Sequence, residues 1–183
     1  MKAVLLSWRS REIATIAISA VLWSILNATI SPVFFALTKM PFLCDLLGIL
    51  SLMVVTWRLR RVGVAFATGL TATLITLSLN PYMIQFISFG MAAVIFDLFC
   101  YAFGYSRVYD RFSAVLVLIP SVAMAFLSGI IIGSVFMGPQ SPNFVLWWGM
   151  LHAIGGLAGG IVGAAVISAT GRRVRLGQQI RLD

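Results

Sequence analysis

Three ionisable residues lie inside long apolar stretches of this chain, and any chemistry it performs would depend on them. They are Asp45, Asp97 and His152. A charged group is costly within a membrane, so such residues usually mark a binding site or an ion path. Two carboxylates can act as an acid–base pair only in close contact. Asp45 and Asp97 are expected at different membrane depths, which argues against an intramembrane aspartyl enzyme.

Each of these residues also has a structural explanation. Asp45 falls in the first turn of a predicted helix, where a carboxylate complements the positive helix end. Asp97 could pair with a neighbouring helix or contact a ligand, and His152 could be a hydrogen-bonded core residue or a ligand contact. The sequence has no HExxH, GxSxG or P-loop motif and no Cys/His cluster. We therefore expect a protein that is not an enzyme and has no metal site and no cofactor.

A second set of residues, uncharged polar and aromatic, falls near one end of the predicted helices. Aromatic faces with a few hydrogen-bonding groups in an apolar cleft are typical of a pocket for a small planar molecule. Its two adjacent tryptophans could equally form an interfacial aromatic belt. The set comprises Asn27, Asn80, Tyr82, Gln85, Gln140, Asn143, Trp147 and Trp148.

Six predicted transmembrane helices must position these side chains. The chain is 61% hydrophobic and only 10% charged, unlike an ordinary soluble domain. Its apolar stretches reach the roughly 20 residues that a bilayer span requires, and the alternation of barrel strands is absent. We expect an all-α integral membrane protein with a single membrane domain over residues 1–183. The helices are predicted at about 11–36, 41–58, 62–79, 82–105, 112–137 and 143–170.

The basic residues predict the topology. Of the 13 Lys and Arg, all but Lys39 fall in the two tails and in alternate loops. The positive-inside rule then places both termini in the cytoplasm of a multi-pass cell-membrane protein, with the polar and aromatic set on the outer side. The net charge of +8 is explained in this way, without nucleic acid. The twelve cytoplasmic bases are Lys2, Arg9, Arg11, Arg58, Arg60, Arg61, Arg107, Arg111, Arg172, Arg173, Arg175 and Arg181.

Small residues form stripes on the first and last predicted helices. Such stripes let helices approach closely, because packing drives their association in lipid. For the last helix we favour packing inside the bundle; its two series are Gly155, Gly159 and Gly163, and Gly156, Gly160 and Ala164. For the first helix, docking of a separate subunit is equally compatible with the stripe, which includes Ala17, Ala20, Ser24 and Ala28.

Together these features resemble one known family. Six helices, both termini inside, a small-residue stripe and an outward polar cluster are similar to the S components of energy-coupling factor (ECF) transporters, which bind vitamins. The run Arg60-Arg61-Val62-Gly63, the Asn80-Pro81 pair and the stretch 89–97 look similar to the thiamine and hydroxymethylpyrimidine branch. In the first helix the family's repeated Ala pattern is degenerate here.

The resemblance implies a non-enzymatic substrate-binding subunit that works with a transmembrane coupling subunit and two cytoplasmic ATPases. By position, its pocket would comprise Asn80, Tyr82, Gln85, Asn143, Trp147, Trp148 and His152. Asp45, on the second helix, is not expected to contact the ligand. Ala17, Ala20, Ser24 and Ala28 would meet the coupling subunit.

The charges of the bundle favour one kind of substrate. The bundle contains two acids, and its outer half has no base except Lys39, which suits a neutral or cationic ligand such as thiamine or a pyrimidine precursor. The alternative function is an oligomeric membrane scaffold or a small autonomous channel, assembled through the glycine-rich last helix.

Overall fold

The computed structural model describes residues 8–110 and 113–179. Over these residues it contains seven α-helices and no strand, which confirms the all-α prediction. The helix α6 continues directly into a π-helical turn, Ile132–Phe136. The helices are α1 (Ser10–Thr38), α2 (Phe42–Leu59), α3 (Val64–Leu79), α4 (Phe86–Phe103), α5 (Tyr105–Asp110), α6 (Ser113–Ile131) and α7 (Pro142–Gln179).

Five segments of the described chain are long and apolar enough to cross a membrane, as expected for a multi-pass membrane protein. They are Ser10–Thr38, Phe42–Leu59, Phe86–Phe103, Leu116–Phe136 and Pro142–Gly171. The apolar helix α3 has only 16 residues, fewer than the roughly 20 that a span normally needs. The membrane class is thus supported, whereas the predicted count of six spans is not confirmed.

The predicted helix at 82–105 is shorter at both ends in the structure. Turns occupy residues 80–85, where the Asn80 side chain accepts a hydrogen bond from the Tyr82 backbone N–H at 3.1 Å. As a result, α4 begins only at Phe86. It ends at Phe103 because Gly104 has φ 80°, a conformation that favours glycine. The short helix α5 follows as a separate element, which the sequence analysis did not predict.

The glycines of α7 place this helix between α2 and α6. A Cβ at Gly159 would lie 2.9 Å from the Leu46 backbone of α2. A Cβ at Gly156 would lie 2.6 Å from the Ser121 carbonyl oxygen of α6. Contacts of this length leave no room for a side chain, so the missing Cβ atoms set how closely the helices approach. Both glycine series therefore serve packing within the bundle.

The stripe of small residues on α1 is partly buried within the same chain. Ala20 and Ser24 have no exposed surface, and the Ser24 hydroxyl donates a hydrogen bond to the Ala72 carbonyl oxygen of α3 at 2.9 Å. Ala17 is exposed and Ala28 is half-buried. Only these outer members of the predicted interface remain accessible to a partner.

The bundle has two ends, which we name after a basic residue at each. The Lys39 end comprises residues 39–41, 80–85 and 137–141. The Arg60 end comprises the start of α1, residues 60–63 and α5, and Arg61 joins two of these segments through an ion pair with Glu12 at 2.7 Å. Six of the predicted cytoplasmic bases lie at the Arg60 end: Arg9, Arg11, Arg58, Arg60, Arg61 and Arg107. Lys2, Arg111, Arg181 and the side chains of Arg172, Arg173 and Arg175 lie outside the described residues.

Candidate functional site

A cavity of about 480 Å³ lies at the Lys39 end of the bundle. This volume falls within the range of roughly 300–1,000 Å³ that is usual for small-molecule sites. Four helices and the turns at 80–85 contribute to its wall. The lining residues are Ser31, Pro32, Phe35, Met40, Pro41, Cys44, Asn80, Tyr82, Met83, Ile84, Gln85, Phe86, Phe89, Ile132, Phe136, Met137, Trp148 and His152.

One wall of the cavity is built from packed aromatic rings around Trp148. Phe35 of α1 meets Trp148 edge-on with ring centroids 6.2 Å apart, and Phe144 stacks on Trp148 at 5.9 Å. Aromatic pairs of this geometry add to the stability gained from burial alone. Trp148 is only 8% exposed, and its indole Nε1 has no hydrogen-bond partner. The wall is therefore aromatic and apolar, and the indole N–H of Trp148 is a buried donor without a partner among the described residues.

A buried histidine–aspartate pair borders the cavity where α7 meets α2, and we call this part of the cavity its floor. His152 Nδ1 lies 3.0 Å from Asp45 Oδ1 and 2.9 Å from Oδ2. His152 is 1% exposed and Asp45 is fully buried. The second ring nitrogen, His152 Nε2, is buried without a hydrogen-bond partner. Because His152 lines the cavity, the ring offers a bound molecule a hydrogen bond that nothing in the described chain satisfies.

Two glycines make room for this buried pair. A Cβ at Gly155 would lie 2.9 Å from Asp45 Oδ2, and a Cβ at Gly129 of α6 would lie 2.8 Å from the His152 side chain. Larger residues at either position would push the carboxylate or the imidazole away. The same glycines that let α7 pack closely thus also position the floor of the cavity.

A smaller polar group borders the cavity from α1. The Ser31 hydroxyl donates to the Asn27 side-chain oxygen at 2.6 Å, and the Asn27 Nδ2 is buried without a partner. Ser31 itself lines the cavity. A second set of hydrogen-bonding atoms therefore lies beside the aromatic wall.

The structure brings together five of the seven residues that were predicted to bind a substrate. Asn80, Tyr82, Gln85, Trp148 and His152 all line the cavity. Asn143 and Trp147 do not: both are exposed, Trp147 at 54%.

Sequence reasoning missed two polar contributors to the floor, Cys44 and Asp45. It assigned Asp45 to the helix dipole and away from the ligand, although Asp45 directly contacts a predicted ligand residue. The signal that could have found the Asp45–His152 pair is that both residues lie towards the outward ends of their predicted helices.

Asp97 lies outside the cavity, at the Arg60 end. It accepts hydrogen bonds from the backbone N–H groups of Ala65 at 3.2 Å and Phe66 at 2.7 Å. These are first-turn donors of α3 that have no partner within the helix. Asp97 of α4 therefore caps α3, a pairing with a neighbouring helix that was one of the two predicted roles.

Comparison with known proteins yields a match in structure but not in sequence. No family model and no curated protein matches the chain. A solved structure described as an S-component of an ECF transporter superposes with a TM-score of 0.63 over 96% of this chain and 94% of that chain. This chain has the fold of an S component. The two sequences are 16% identical, so the likeness concerns the fold and assigns no individual residue.

The S-component fold agrees with the chemistry of the site. The neighbour is described as a component of a transporter, and the cavity of this chain is lined by hydrogen-bonding and aromatic residues. The fold places this cavity at one end of a helical membrane bundle.

Proposed function

We propose that this chain is the substrate-binding subunit of an ECF-type transporter and captures a small organic molecule in the cavity at the Lys39 end. The observation that carries the proposal is the cavity itself: an aromatic wall and a buried Asp45–His152 floor within an S-component fold. A flat ligand would lie against Trp148 and accept or donate a hydrogen bond at His152 Nε2.

The proposed substrate is neutral or cationic, with thiamine or a pyrimidine precursor as the first candidates. Two features support this choice: the residues that line the cavity include no Lys or Arg, and the Asp45 carboxylate lies directly behind His152. The sequence analysis counted two acids, but Asp97 caps the start of α3 at the Arg60 end, away from the cavity. Among the described residues, Asp45 is then the acid that lies beside the cavity.

The proposal includes orientation and partners. The Lys39 end faces outward, and the Arg60 end and both termini face the cytoplasm, because the described bases other than Lys39 cluster at the Arg60 end. Uptake is driven by a transmembrane coupling subunit and two cytoplasmic ATPases. On α1, that coupling subunit would contact the exposed side at Ala17 and Ala28 rather than Ala20 and Ser24.

The test is ligand binding by the purified chain in detergent, followed by tryptophan fluorescence. Thiamine, hydroxymethylpyrimidine and a panel of other B vitamins are titrated, and one of them should bind with a stoichiometry of one. Trp148→Phe should remove most of the fluorescence change, because Trp148 lines the cavity. Trp147→Phe is the matched control, since Trp147 is 54% exposed and outside the lining. Failure of the whole panel would refute the vitamin substrate.

The alternative of an oligomeric scaffold or channel loses its structural basis. It required the glycines of α7 to face another copy of the chain. Gly155 and Gly159 instead meet α2, and Gly156 and Gly160 meet α6. We therefore retain the substrate-binding subunit as the single proposed function.

A further inference from the structure

The floor of the cavity holds three different metal-ligand groups. Cys44 offers a sulfur, Asp45 a carboxylate oxygen and His152 an imidazole nitrogen, and one such atom from each lies within 4.8 Å of the others. Asp45 and His152 are buried and Cys44 is half-buried. The sequence gives no metal motif, because Asp45 and His152 are 107 residues apart.

The spacing of these atoms is close to that of a coordination shell. Bond lengths of about 2.0–2.3 Å around a tetrahedral ion place its ligand atoms roughly 3.3–3.8 Å apart. The nitrogen and carboxylate oxygens of His152 and Asp45 are already 2.9–3.0 Å apart. The Cys44 sulfur, within 4.8 Å of the other two ligand atoms, would move closer to them when all three groups surround one ion.

Unused hydrogen-bonding capacity in the cluster supports a ligand at this place. His152 is 1% exposed, yet its Nε2 has no partner, and neither does Asp45 Oδ2. Both carboxylate oxygens instead crowd the same ring nitrogen. A buried polar atom without a partner typically costs about 1–3 kcal/mol. A cation bound by His152 Nδ1 and the carboxylate would satisfy Asp45 Oδ2, while Nε2, on the other side of the ring, would stay available for a hydrogen bond.

The charges of the cluster also fit a divalent ion. A thiolate at Cys44 and the carboxylate of Asp45 together balance two positive charges, so the complex would be neutral inside an apolar bundle. The Cys44 thiol now donates to the Pro41 carbonyl oxygen at 2.8 Å; binding would replace that contact and release the proton. Since Cys44 and His152 both line the cavity, a fourth coordination position would face it.

We infer that Cys44, Asp45 and His152 form a binding site for one divalent transition-metal ion at the floor of the cavity. Sulfur and imidazole ligands select ions such as Zn²⁺, Ni²⁺ and Co²⁺ over Mg²⁺ and Ca²⁺, which prefer oxygen. The inference rests on the cluster alone and not on the proposed vitamin.

The experiment titrates Co²⁺ into the full chain, purified in detergent and treated with chelator, and records visible and near-ultraviolet absorption. Co²⁺ is the probe because Zn²⁺, a d¹⁰ ion, has no such spectrum. We expect one bound ion per chain with d–d bands and a thiolate-to-cobalt charge-transfer band. Excess Mg²⁺ should not displace it.

Three variants decide the assignment. Cys44→Ser should abolish the charge-transfer band, and His152→Gln should weaken binding by at least the roughly 10–100-fold that loss of an outer-shell partner causes. Cys100→Ala, which removes the other thiol, buried in α4, should leave both unchanged. Size-exclusion profiles check that each variant is folded. The fold should tolerate Cys44→Ser better than His152→Gln, because Cys44 is half-buried and His152 is buried.

Two outcomes would overturn the site: no stoichiometric Co²⁺ binding by the parent chain, or a spectrum that Cys44→Ser leaves intact. Vitamin binding is measured separately by tryptophan fluorescence without metal. A failure of the metal site is thereby distinguished from a failure of the proposed transport function.

Discussion

The two buried aspartates lie at opposite ends of the bundle and differ in how their oxygens are satisfied. Asp97, at the Arg60 end, accepts hydrogen bonds from two backbone N–H groups of α3. Asp45, at the Lys39 end, faces a histidine side chain and keeps one oxygen without a hydrogen bond, beside a cavity. Asp97, whose oxygens accept bonds from backbone N–H groups, stabilises the fold. Asp45 contacts a histidine that has a free ring nitrogen beside the cavity, so this pair is available for binding.

The largest effects on stability and on ligand affinity should come from replacing each of the two aspartates separately. Asp97→Ala leaves two N–H groups of α3 without their acceptor, which costs about 1–3 kcal/mol for each buried group. We expect a large drop in the melting temperature in detergent, with unchanged affinity in the molecules that remain folded. Asp45→Asn keeps the side-chain shape, so it should melt closer to the parent chain while its ligand affinity falls at least about tenfold.

The comparison fails if the two variants behave alike. Unchanged ligand affinity in Asp45→Asn would remove Asp45 from the binding site. A melting temperature of Asp97→Ala equal to that of the parent would mean that the first turn of α3 does not need its cap. Thermal unfolding followed by circular dichroism and the fluorescence titration measure the two quantities on the same preparations.

A smaller effect should follow when Asp45 is displaced without altering its charge. In Gly155→Ala the new Cβ would lie 2.8 Å from Asp45 Cβ and 2.9 Å from Oδ2. Overpacking of this kind typically costs about 1–3 kcal/mol, and we expect a lower melting temperature together with weaker ligand binding. The measurement is the same pair of assays.

Gly171→Ala is the matched control, in the same helix. A Cβ there meets no atom within 4 Å, so alanine should be neutral or stabilise α7 by about 0.5–1 kcal/mol. If Gly155→Ala and Gly171→Ala were indistinguishable, the close contact between α7 and Asp45 would not hold.

Sequence patterns predicted the helices better than the contacts between them. The length of the apolar stretches located the main elements, because a bilayer span requires roughly 20 mainly apolar residues. The short α5 was missed, since a separate six-residue helix depends on the positive φ of Gly104. The Asp45–His152 pair was missed as well, because it forms only when glycines let α7 approach α2.

For the small residues of α1, periodicity identified the stripe but not its partner. Ala20 and Ser24 were assigned to a separate subunit, yet Ser24 bonds to α3 of the same chain. A stripe of small residues is equally suited to an internal and an external neighbour. Only the tertiary structure distinguishes the two, and it leaves Ala17 as the exposed member.

The smallest effect should come from the one side-chain donor near Asp97. The Tyr105 hydroxyl lies 3.4 Å from Asp97 Oδ1, a long contact that contributes little. We expect Tyr105→Phe to change the unfolding free energy at neutral pH by about 0.5 kcal/mol or less, at the low end for a hydrogen bond. Tyr82→Phe is the control for loss of a hydroxyl, at a side chain that is 93% exposed.

Tyr105 should also affect how stability depends on pH in the alkaline range. Burial, together with the negative charge of nearby Asp97, raises the pKa of Tyr105. Above a pH of about 10 a tyrosine in the unfolded chain loses its proton, while the folded chain keeps it, so stability falls as the pH rises further. Tyr105→Phe should lose part of this alkaline decline in melting temperature. An identical decline in both proteins would show that neither burial nor Asp97 raises the pKa of Tyr105 in the folded chain.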